Sequence, residues 1–345
     1  MIVSILYFVI ILGIIVFVHE FGHFFFSKLF GIYVYEFSVG MGPKIFSKKD
    51  KKGETTYSIR AIPIGGYCQL AGEGLDEDKK LPKDRLLQSK PVWQRFLVMF
   101  FGAGNNFLLA LIVLFFLGLV IGSPSNSTII PNVIDESPVA LAGIQKGDDI
   151  KKINGNKTNT LDDIELYLAL STGETEITVL RDGKEEVYKV VPLTEEEAKE
   201  KSYRFGIEFD KEVKYGFINA IKYSFTKFGS LVKQMVVTFK SLFTGKVSVK
   251  NLSGPVGIYN AVDKTKDSGV SNLFYLLALL SLNVGFVNLI PFPAFDGGRI
   301  LFLIIEKIKG KPVKAETENL IHNIGFFILL ALIIYVTIND IIKLF

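Results

Sequence analysis

The sequence predicts a membrane α-helical protein with about four transmembrane helices, a membrane-associated β-hairpin and a small extracytoplasmic α/β domain. Apolar residues make up 49% of the 345-residue chain, its mean hydropathy is +0.36, and the apolar residues are clustered. Four stretches lack Asp, Glu, Lys and Arg: 2–18, 96–121, 268–295 and 320–339. Each approaches or exceeds the roughly 20 helical residues that cross a bilayer.

The distribution of basic residues predicts the orientation of the spans. The formal net charge is only +4, but Lys and Arg concentrate between spans one and two and between spans three and four. Four spans place these two loops on one side, which the positive-inside rule makes cytoplasmic. The termini and segment 123–267 then lie outside the cytoplasm of a multi-pass inner (plasma) membrane protein. The lone Cys68 excludes an intramolecular disulfide framework.

The first apolar stretch has the length of a secretory signal, but no basic residue precedes it and no small-residue cleavage site follows it. We therefore expect a retained span.

Segment 44–70 is typical of a β-hairpin. Two strands, 44–46 and 54–64, flank a polar turn at 48–53. The second strand alternates between a predicted wet face and an apolar face. The wet face comprises Thr56, Ser58 and Arg60, and the apolar face comprises Tyr57, Ile59 and Ala61. An unpaired edge here would accept an extended substrate strand, which makes Tyr57, Ile59 and Ala61 candidate substrate contacts; an ordinary surface hairpin is the alternative.

The segment between spans two and three contains a small soluble domain. We predict one helix at 161–170 and two strands, 176–180 and 185–191, around a turn. Motifs in the first half of this domain resemble a bacterial PDZ domain: 137–144, 146–150 and 153–155. We expect a charged linker at 194–201.

These patterns divide the chain into four parts. The parts are an N-terminal membrane part (1–122), the PDZ-like domain with linkers (123–200), an amphipathic segment (201–267) and a C-terminal membrane part (268–345).

Within the third part, apolar residues recur at helical spacing over 217–243, and Lys222, Lys233 and Lys240 fall on nearly one face. A helix of this kind lies in the membrane interface. A fifth span is the alternative, although its lysines would be unfavourable in hydrocarbon.

The motif His19-Glu-Phe-Gly-His23 carries the strongest chemical signal. Helix positions i and i+4 share a face, so both imidazoles reach one metal ion while Glu20 lies beside them as a general base. A chance pair of polar residues at a helix end is the alternative. Ionisable residues beside an apolar span are unfavourable unless they function, so we predict a zinc site.

A catalytic zinc ion needs a third protein ligand in addition to water. Segment 288–298 follows the third apolar stretch, and Pro291 and Pro293 break its helix. Irregular backbone at membrane depth is tolerated only inside protein or at a water-filled cavity. Asp296 stands there apart from other charges, either as an N-cap for a helix over 297–308 or as the third ligand. The incomplete zinc site favours the ligand.

Together, His19–His23, segment 288–298 and the PDZ-like insert resemble the site-2 protease family of intramembrane zinc metalloproteases, in particular its bacterial RseP-type branch. The resemblance covers nearly the whole chain and also includes Asn106 and 253–257. Arg299 departs from a histidine found in some members, and Ala103-Gly104 departs from a common proline.

The resemblance implies that His19, His23 and Asp296 bind Zn²⁺, that Glu20 is the base, and that Asn283 and Asn288 help to hold the substrate. It also implies a membrane-re-entrant hairpin at 44–70.

The implied activity is hydrolysis of peptide bonds within transmembrane segments, such as those of anti-sigma factors or signal-peptide remnants. Expected partners are single-pass membrane proteins and the lipid bilayer, with peptide C-termini at the PDZ-like domain and no nucleic acid. A transporter or metal channel with the same ligands, and a membrane scaffold with an inactive site, are the alternatives. Zinc-dependent cleavage that is lost in Glu20→Gln separates the three classes.

Overall fold

Four long apolar helices dominate the computed structural model, which describes residues 2–73, 76–209, 212–245, 247–248, 250 and 252–343. Within those residues, the helices long and apolar enough to cross a membrane are Ile2–Leu29, Val92–Val120, Val270–Leu289 and Glu316–Ile342. They overlap the four uncharged stretches, so the predicted membrane α-helical class is confirmed.

The chain forms two compact units, Met1–Val113 with Thr238–Phe345 and Leu114–Val237. The helices are α1 (Ile2–Leu29), α2 (Val92–Val120), α3 (Pro138–Leu141), α4 (Leu161–Ala169), α5 (Glu195–Lys201), α6 (Phe217–Phe243), α7 (Pro255–Thr265), α8 (Val270–Leu289), α9 (Asp296–Lys309) and α10 (Ala315–Ile342). The strands are β1 (Val34–Lys49), β2 (Thr56–Leu70), β3 (Ser123–Pro124), β4 (Asn132–Val133), β5 (Asp149–Ile153), β6 (Asn156–Lys157), β7 (Thr175–Arg181), β8 (Lys184–Val190), β9 (Ile207–Glu208) and β10 (Val213–Lys214).

In the first unit, β1 and β2 form a sheet with more pairing than a simple hairpin. Phe37 in the first half of β1 is paired with Cys68 on one side and with Tyr57 on the other. Gly40 and Gly42 have φ of 84° and 81°, a conformation that favours glycine. They bend β1, and its outer half, 44–49, returns to pair with 56–60.

Segment 56–59 is therefore flanked on both sides, and the predicted unpaired edge at Tyr57 and Ile59 is wrong. Among the described residues, 67–70 pair on one side only, with the start of β1. The sheet therefore has two edges among the described residues, the outer half of β1 at 44–49 and segment 67–70, where the Leu70 N–H donates to Glu73 Oε2 at 3.4 Å.

The predicted wet face of β2 is also wrong, because Ser58 and Arg60 turn inward onto Glu36. The buried carboxylate of Glu36 accepts hydrogen bonds from Ser58, from Arg60 Nη2 at 2.9 Å and from Lys44 Nζ at 3.0 Å. Burial raises the pKa of Glu36, but these hydrogen bonds outweigh it and lower the pKa to about 2. Apolar side chains are exposed instead: Met41, Ile45, Phe46, Tyr57, Ile59 and Ile62.

The C-terminal part of the first unit contains a helix, α7, that the sequence patterns did not predict. Asp340 on α10 is buried, and its Oδ2 atom accepts hydrogen bonds from the backbone N–H groups of Gly254 at 2.7 Å and Gly257 at 2.8 Å. Its carboxylate therefore caps the N-terminus of α7 from a different helix. This contact gives the 253–257 motif a structural role.

The predicted break after the third span is confirmed. Helix α8 ends at Leu289, before Pro291, and α9 begins at Asp296.

The second unit is built on a four-stranded antiparallel sheet in the order β6-β5-β7-β8. The predicted helix and strand pair are confirmed as α4, β7 and β8. The core residues come from both halves of the unit: Ile130, Val139, Ile144, Ile150, Ile153, Ile164, Tyr167, Leu168, Ile177, Val179, Val190 and Phe205. The predicted charged linker at 194–201 contains a short helix, because Thr194 and Glu197 form a capping box that starts α5.

Helix α6 forms as predicted, and two of its lysines pair within the second unit, although only Lys233 belongs to the predicted basic face. Lys227 Nζ lies 2.5 Å from Asp162 Oδ1, and Lys233 Nζ lies 2.9 Å from Asp163 Oδ1 on α4. Phe217, Ile218 and Phe225 remain exposed. Among the described helices, α6 is outside the group apolar enough to span a membrane. An interfacial position for α6 stays a prediction.

Candidate metal centre

The two histidines of the first motif face the same point from one turn of α1. His19 and His23 are four residues apart, and their Nε2 atoms are separated by 3.4 Å. The ring centroids are 5.0 Å apart and nearly perpendicular. Because helix positions i and i+4 project from the same face, this arrangement follows from local structure alone.

Asp296 completes a triangle with these two nitrogens. Its Oδ2 atom lies 3.4 Å from Nε2 of His19 and 3.4 Å from Nε2 of His23. All three separations are long for hydrogen bonds. They match a tetrahedral zinc ion, whose bonds of about 2.0–2.1 Å place neighbouring ligand atoms about 3.4 Å apart. The buried Oδ2 atom has no hydrogen-bond partner among the described residues, so the residues fit a metal ion.

Helix α2 contacts the second nitrogen of each imidazole. His23 Nδ1 lies 2.8 Å from the carbonyl oxygen of Val98, which can only accept a hydrogen bond. His19 Nδ1 lies 3.3 Å from the side-chain amide of Asn106. Asn106 is fully buried, and its backbone carbonyl accepts a hydrogen bond from the Ser281 hydroxyl at 2.9 Å. Outer contacts of this kind orient metal-binding imidazoles.

Two glycines permit the close packing of α1 and α2. A Cβ atom at Gly22 would overlap the carbonyl of Phe101, and a Cβ atom at Gly102 would overlap the imidazole of His23. The Gly102 Cβ would also lie 2.9 Å from Asp296 Oδ2. Sequence reasoning missed this role of Gly102. The only available signal was its place in a glycine-containing turn of an apolar span.

Glu20 lies between the two histidines in sequence and contacts the sheet. The backbone of Cys68 in β2 lies near its carboxylate. A Cβ atom at Gly66 would lie 3.5 Å from Glu20 Cγ, so β2 passes directly against this side chain. The open edge of the sheet at 67–70 is therefore the edge beside Glu20.

A cavity of about 1210 Å³ lies one turn beyond Asp296 and is walled by charged residues. Arg299 pairs with Glu73, and Arg95 binds both carboxylate oxygens of Glu306, at 2.9 and 2.5 Å. His322, the third histidine of the chain, also lines the cavity.

The predicted substrate contacts are more scattered than the predicted metal ligands. Asn283 is exposed on α8, and Asn288 is half-buried just before the helix ends. Tyr57, Ile59 and Ala61 are exposed on β2, but Tyr57 and Ile59 are paired through the backbone on both sides.

Comparison with known proteins places this geometry in a family. Residues 7–332 match peptidase family M50. The chain is 34% identical over 99% of both chains to the regulator of sigma-W protease RasP of Bacillus subtilis, and equally similar to zinc metalloprotease RasP of Bacillus licheniformis. A relative from Clostridium perfringens is 38% identical over 95% of both chains. The chain therefore belongs to peptidase family M50, the site-2 protease family, and is a zinc metalloprotease of the membrane.

Proposed function

We propose that this protein hydrolyses peptide bonds within the transmembrane segments of single-pass membrane proteins, such as anti-sigma factors or signal-peptide remnants. His19, His23 and Asp296 hold the zinc ion, and Glu20 is the general base. The supporting observation is the triangle of ligand atoms, 3.4 Å apart, beside a carboxylate on a membrane-spanning helix. The name of the Bacillus subtilis relative as a regulator of sigma-W protease supports the substrate class.

His19, His23 and Asp296 would hold a zinc ion, which would supply a Lewis acid for polarising the scissile carbonyl and activating water. Glu20 takes a proton from that water and passes it to the leaving amine. Strand β2 packs against Glu20 and keeps its carboxylate beside the proposed ligands.

The outer contacts set the proton positions on the two imidazoles. The Val98 carbonyl keeps the proton of His23 on Nδ1, which leaves the Nε2 lone pair free for the metal. The amide of Asn106 can present its oxygen or its NH₂ group. Asn106 Nδ2 faces His19 Nδ1 in the structure. Metal binding through Nε2 of His19 requires a proton on Nδ1, so the Asn106 amide must turn to present its oxygen.

We assign binding of the unwound substrate to the edge of β2 at 67–70. A transmembrane substrate must unwind before cleavage, and its freed backbone groups are unfavourable in lipid. The edge at 67–70 offers these groups a strand to pair with, and Cys68 on this edge lies near Glu20. This assignment moves the docking strand from Tyr57, Ile59 and Ala61 to the other end of β2. Asn283 and Asn288 on α8 supply further polar contacts to the substrate.

Zinc content and cleavage, measured on the same purified protein in nanodiscs, test the metal site. We expect about one zinc ion per chain, as three ligands plus water imply. Glu20→Gln should keep the zinc and lose cleavage of a model single-pass substrate by about 10³-fold, whereas Asp296→Ala should lose both. Zinc retention and normal cleavage in Asp296→Ala would remove Asp296 as a ligand. A transporter would keep its metal flux in Glu20→Gln.

The single cysteine of the chain allows a direct test of the β2 edge. We would cross-link Cys68 in the Glu20→Gln protein to single cysteines placed at successive positions along a transmembrane substrate. Pairing as a strand predicts cross-links at every second residue around the scissile bond. A spacing of three to four residues would mean that the substrate is bound as a helix, which would contradict pairing with this edge.

The second unit acts as a substrate filter outside the membrane, with its PDZ-like domain selecting substrates by size or by their C-termini. Its four-stranded antiparallel sheet and the resemblance of 137–155 to PDZ domains support this assignment. Deletion of 127–193 should leave zinc bound and widen the range of substrates cleaved. Loss of cleavage of a bare transmembrane peptide after deletion would show a structural role instead.

The charge distribution supports an active site toward the cytoplasmic side and an extracytoplasmic second unit. Labelling of single cysteines in a Cys68→Ser background from each side of sealed vesicles tests this orientation. Cytoplasmic labelling within 127–193 would reverse it.

A further inference from the structure

The turn that carries Asp296 contains an unfavourable backbone conformation. Between the end of α8 and the start of α9, Ala294 has a φ of +80°. Residues with a side chain are disfavoured at positive φ because their Cβ atom approaches a backbone oxygen. Asn or Asp could compensate through a local side-chain hydrogen bond, but alanine has none to offer. Contacts from outside the turn must therefore hold it.

Helix α10 provides those contacts from one face. The backbone N–H of Ala294 donates a hydrogen bond to Nδ1 of His322 at 3.1 Å. One turn later on the same face, a Cβ atom at Gly325 would lie 2.7 Å from the carbonyl oxygen of Pro293. The backbone of α10 thus lies directly against the Pro293–Ala294 turn.

The imidazole of His322 is fixed in the orientation that this contact requires. Its ring lies 5.5 Å from the ring of Phe302 on α9. Because Nδ1 accepts a hydrogen bond, the proton of the neutral ring is on Nε2. That atom is buried and has no hydrogen-bond partner among the described residues, and Glu318 Oε1 is 3.9 Å away. The bond to Ala294 is therefore the contact that explains a histidine here.

We propose that His322 is a positioning residue, which holds the Pro293–Ala294 turn and thereby directs Asp296 to the metal. The proposal rests on the proposed role of Asp296 as a zinc ligand. It makes the placement of α10 a determinant of metal affinity, although α10 contributes no ligand. Of the four candidate spans, α10 has the smallest buried share of its apolar window, 11%.

The test compares His322→Leu, which removes the acceptor, with His322→Asn, whose Oδ1 can replace Nδ1. One measurement is the zinc dissociation constant by chelator competition. The other is amide hydrogen exchange of 290–295 in the metal-free protein. We expect His322→Leu to weaken zinc binding about 10-fold, the scale seen for outer contacts of metal ligands, and to accelerate exchange. His322→Asn should remain near wild type, as should the control Phe327→Leu on the exposed face of α10.

A second variant separates this role from general damage to α10. Glycine adopts a φ of +80° without penalty, so Ala294→Gly should restore part of the zinc affinity lost in His322→Leu. A defect elsewhere in α10 would not respond. Unchanged exchange and zinc affinity in His322→Leu would overturn the proposal. If Asp296→Ala instead retained zinc, the ligand assignment would fail, while the exchange measurement would still report on the turn.

Discussion

The proposed zinc ligands come from two backbone segments of different kinds. His19 and His23 project from one turn of a regular helix, whereas Asp296 begins α9 after an irregular turn with a positive φ at Ala294. The helical pair is aligned by the geometry of the α-helix itself. The aspartate depends on contacts from α8 and α10. Half of the site is thus specified locally, and the other half is specified only when several helices have packed.

The difference extends to the residues that support each ligand. Asn106 and the Val98 carbonyl, both on α2, orient the histidines. The aspartate is placed by backbone packing, because Cβ atoms at Gly297 and Gly298 would overlap the carbonyls of Leu289 and Phe292. Substitution of the supporting side chains should therefore change the orientation of the histidines only partly. A Cβ atom added at Gly297 or Gly298 should displace Asp296 from its position.

The largest loss of zinc affinity is expected from Gly102→Ala, because it affects both the histidine half and the aspartate half of the site. The added Cβ would occupy the space of the His23 imidazole and crowd Asp296 Oδ2. We expect zinc affinity to fall by more than about 100-fold, beyond the range for outer contacts. Chelator competition measures it, and Gly13→Ala on α1, where a Cβ meets open space, should bind as wild type. Normal zinc binding in Gly102→Ala would contradict the close packing of α1 and α2 at the site.

Gly297→Ala should affect the aspartate half alone. Its Cβ would meet the carbonyls of Leu289 and Ile290, and because backbone cannot yield as a side chain does, α9 must shift. We expect zinc affinity to fall by about 100-fold, the upper end for supporting residues. Glu20 should remain beside β2, so the Cys68 cross-links to substrate should persist. Their loss would show that the two halves are not independent.

Asn106→Leu should give a smaller loss on the histidine half. Without the amide, His19 keeps its place on the helix but loses the partner of Nδ1. We expect zinc to bind about 10-fold more weakly. Asn105→Leu is the matched control, because the Asn105 amide contacts the backbone carbonyl of Val18 and not an imidazole. Equal losses in both variants would mean that packing, not orientation of His19, is responsible.

The smallest effect is expected from Ala294→Gly alone. Glycine accommodates the positive φ, but it also gains freedom in the unfolded chain. With His322 present, the relief of the positive φ and the greater freedom of the unfolded chain oppose each other. Zinc affinity should therefore stay within about 3-fold of wild type, or about 0.7 kcal/mol. A larger loss would mean that the Ala294 methyl group itself packs against the site. That measurement distinguishes the two halves of the site, because no residue of α1 described in the structure has a positive φ.

Local patterns in the sequence predicted much of this architecture because membrane spans and helical motifs are local. Uncharged stretches identified the four candidate spans, and the spacing of His19 and His23 predicted that their imidazoles face one point. The prolines at 291 and 293 predicted the end of α8. In each case, the physical cause acts within a few residues of the sequence that signals it.

The β1–β2 sheet was predicted less well, because strand pairing is decided between distant residues. The alternation at 56–61 was real, but its polar face covers Glu36, and its edge is occupied by the returning half of β1. A period of two identifies two faces without saying which one meets solvent or lipid. Only the bend at Gly40 and Gly42 decided which segment would be open beside Glu20.

By itself, the sequence determined the four apolar helices and predicted the class of metal site and the three proposed ligands, since these follow from hydropathy, helical spacing and the ligand number of zinc. Tertiary structure decided how that site is held. Gly102 matters because α1 and α2 approach within the reach of a Cβ atom, and His322 matters because its nitrogen meets the amide of Ala294, 28 residues away in the chain. No periodic pattern in the sequence predicts such contacts, because each depends on a single pair of atoms brought together by packing.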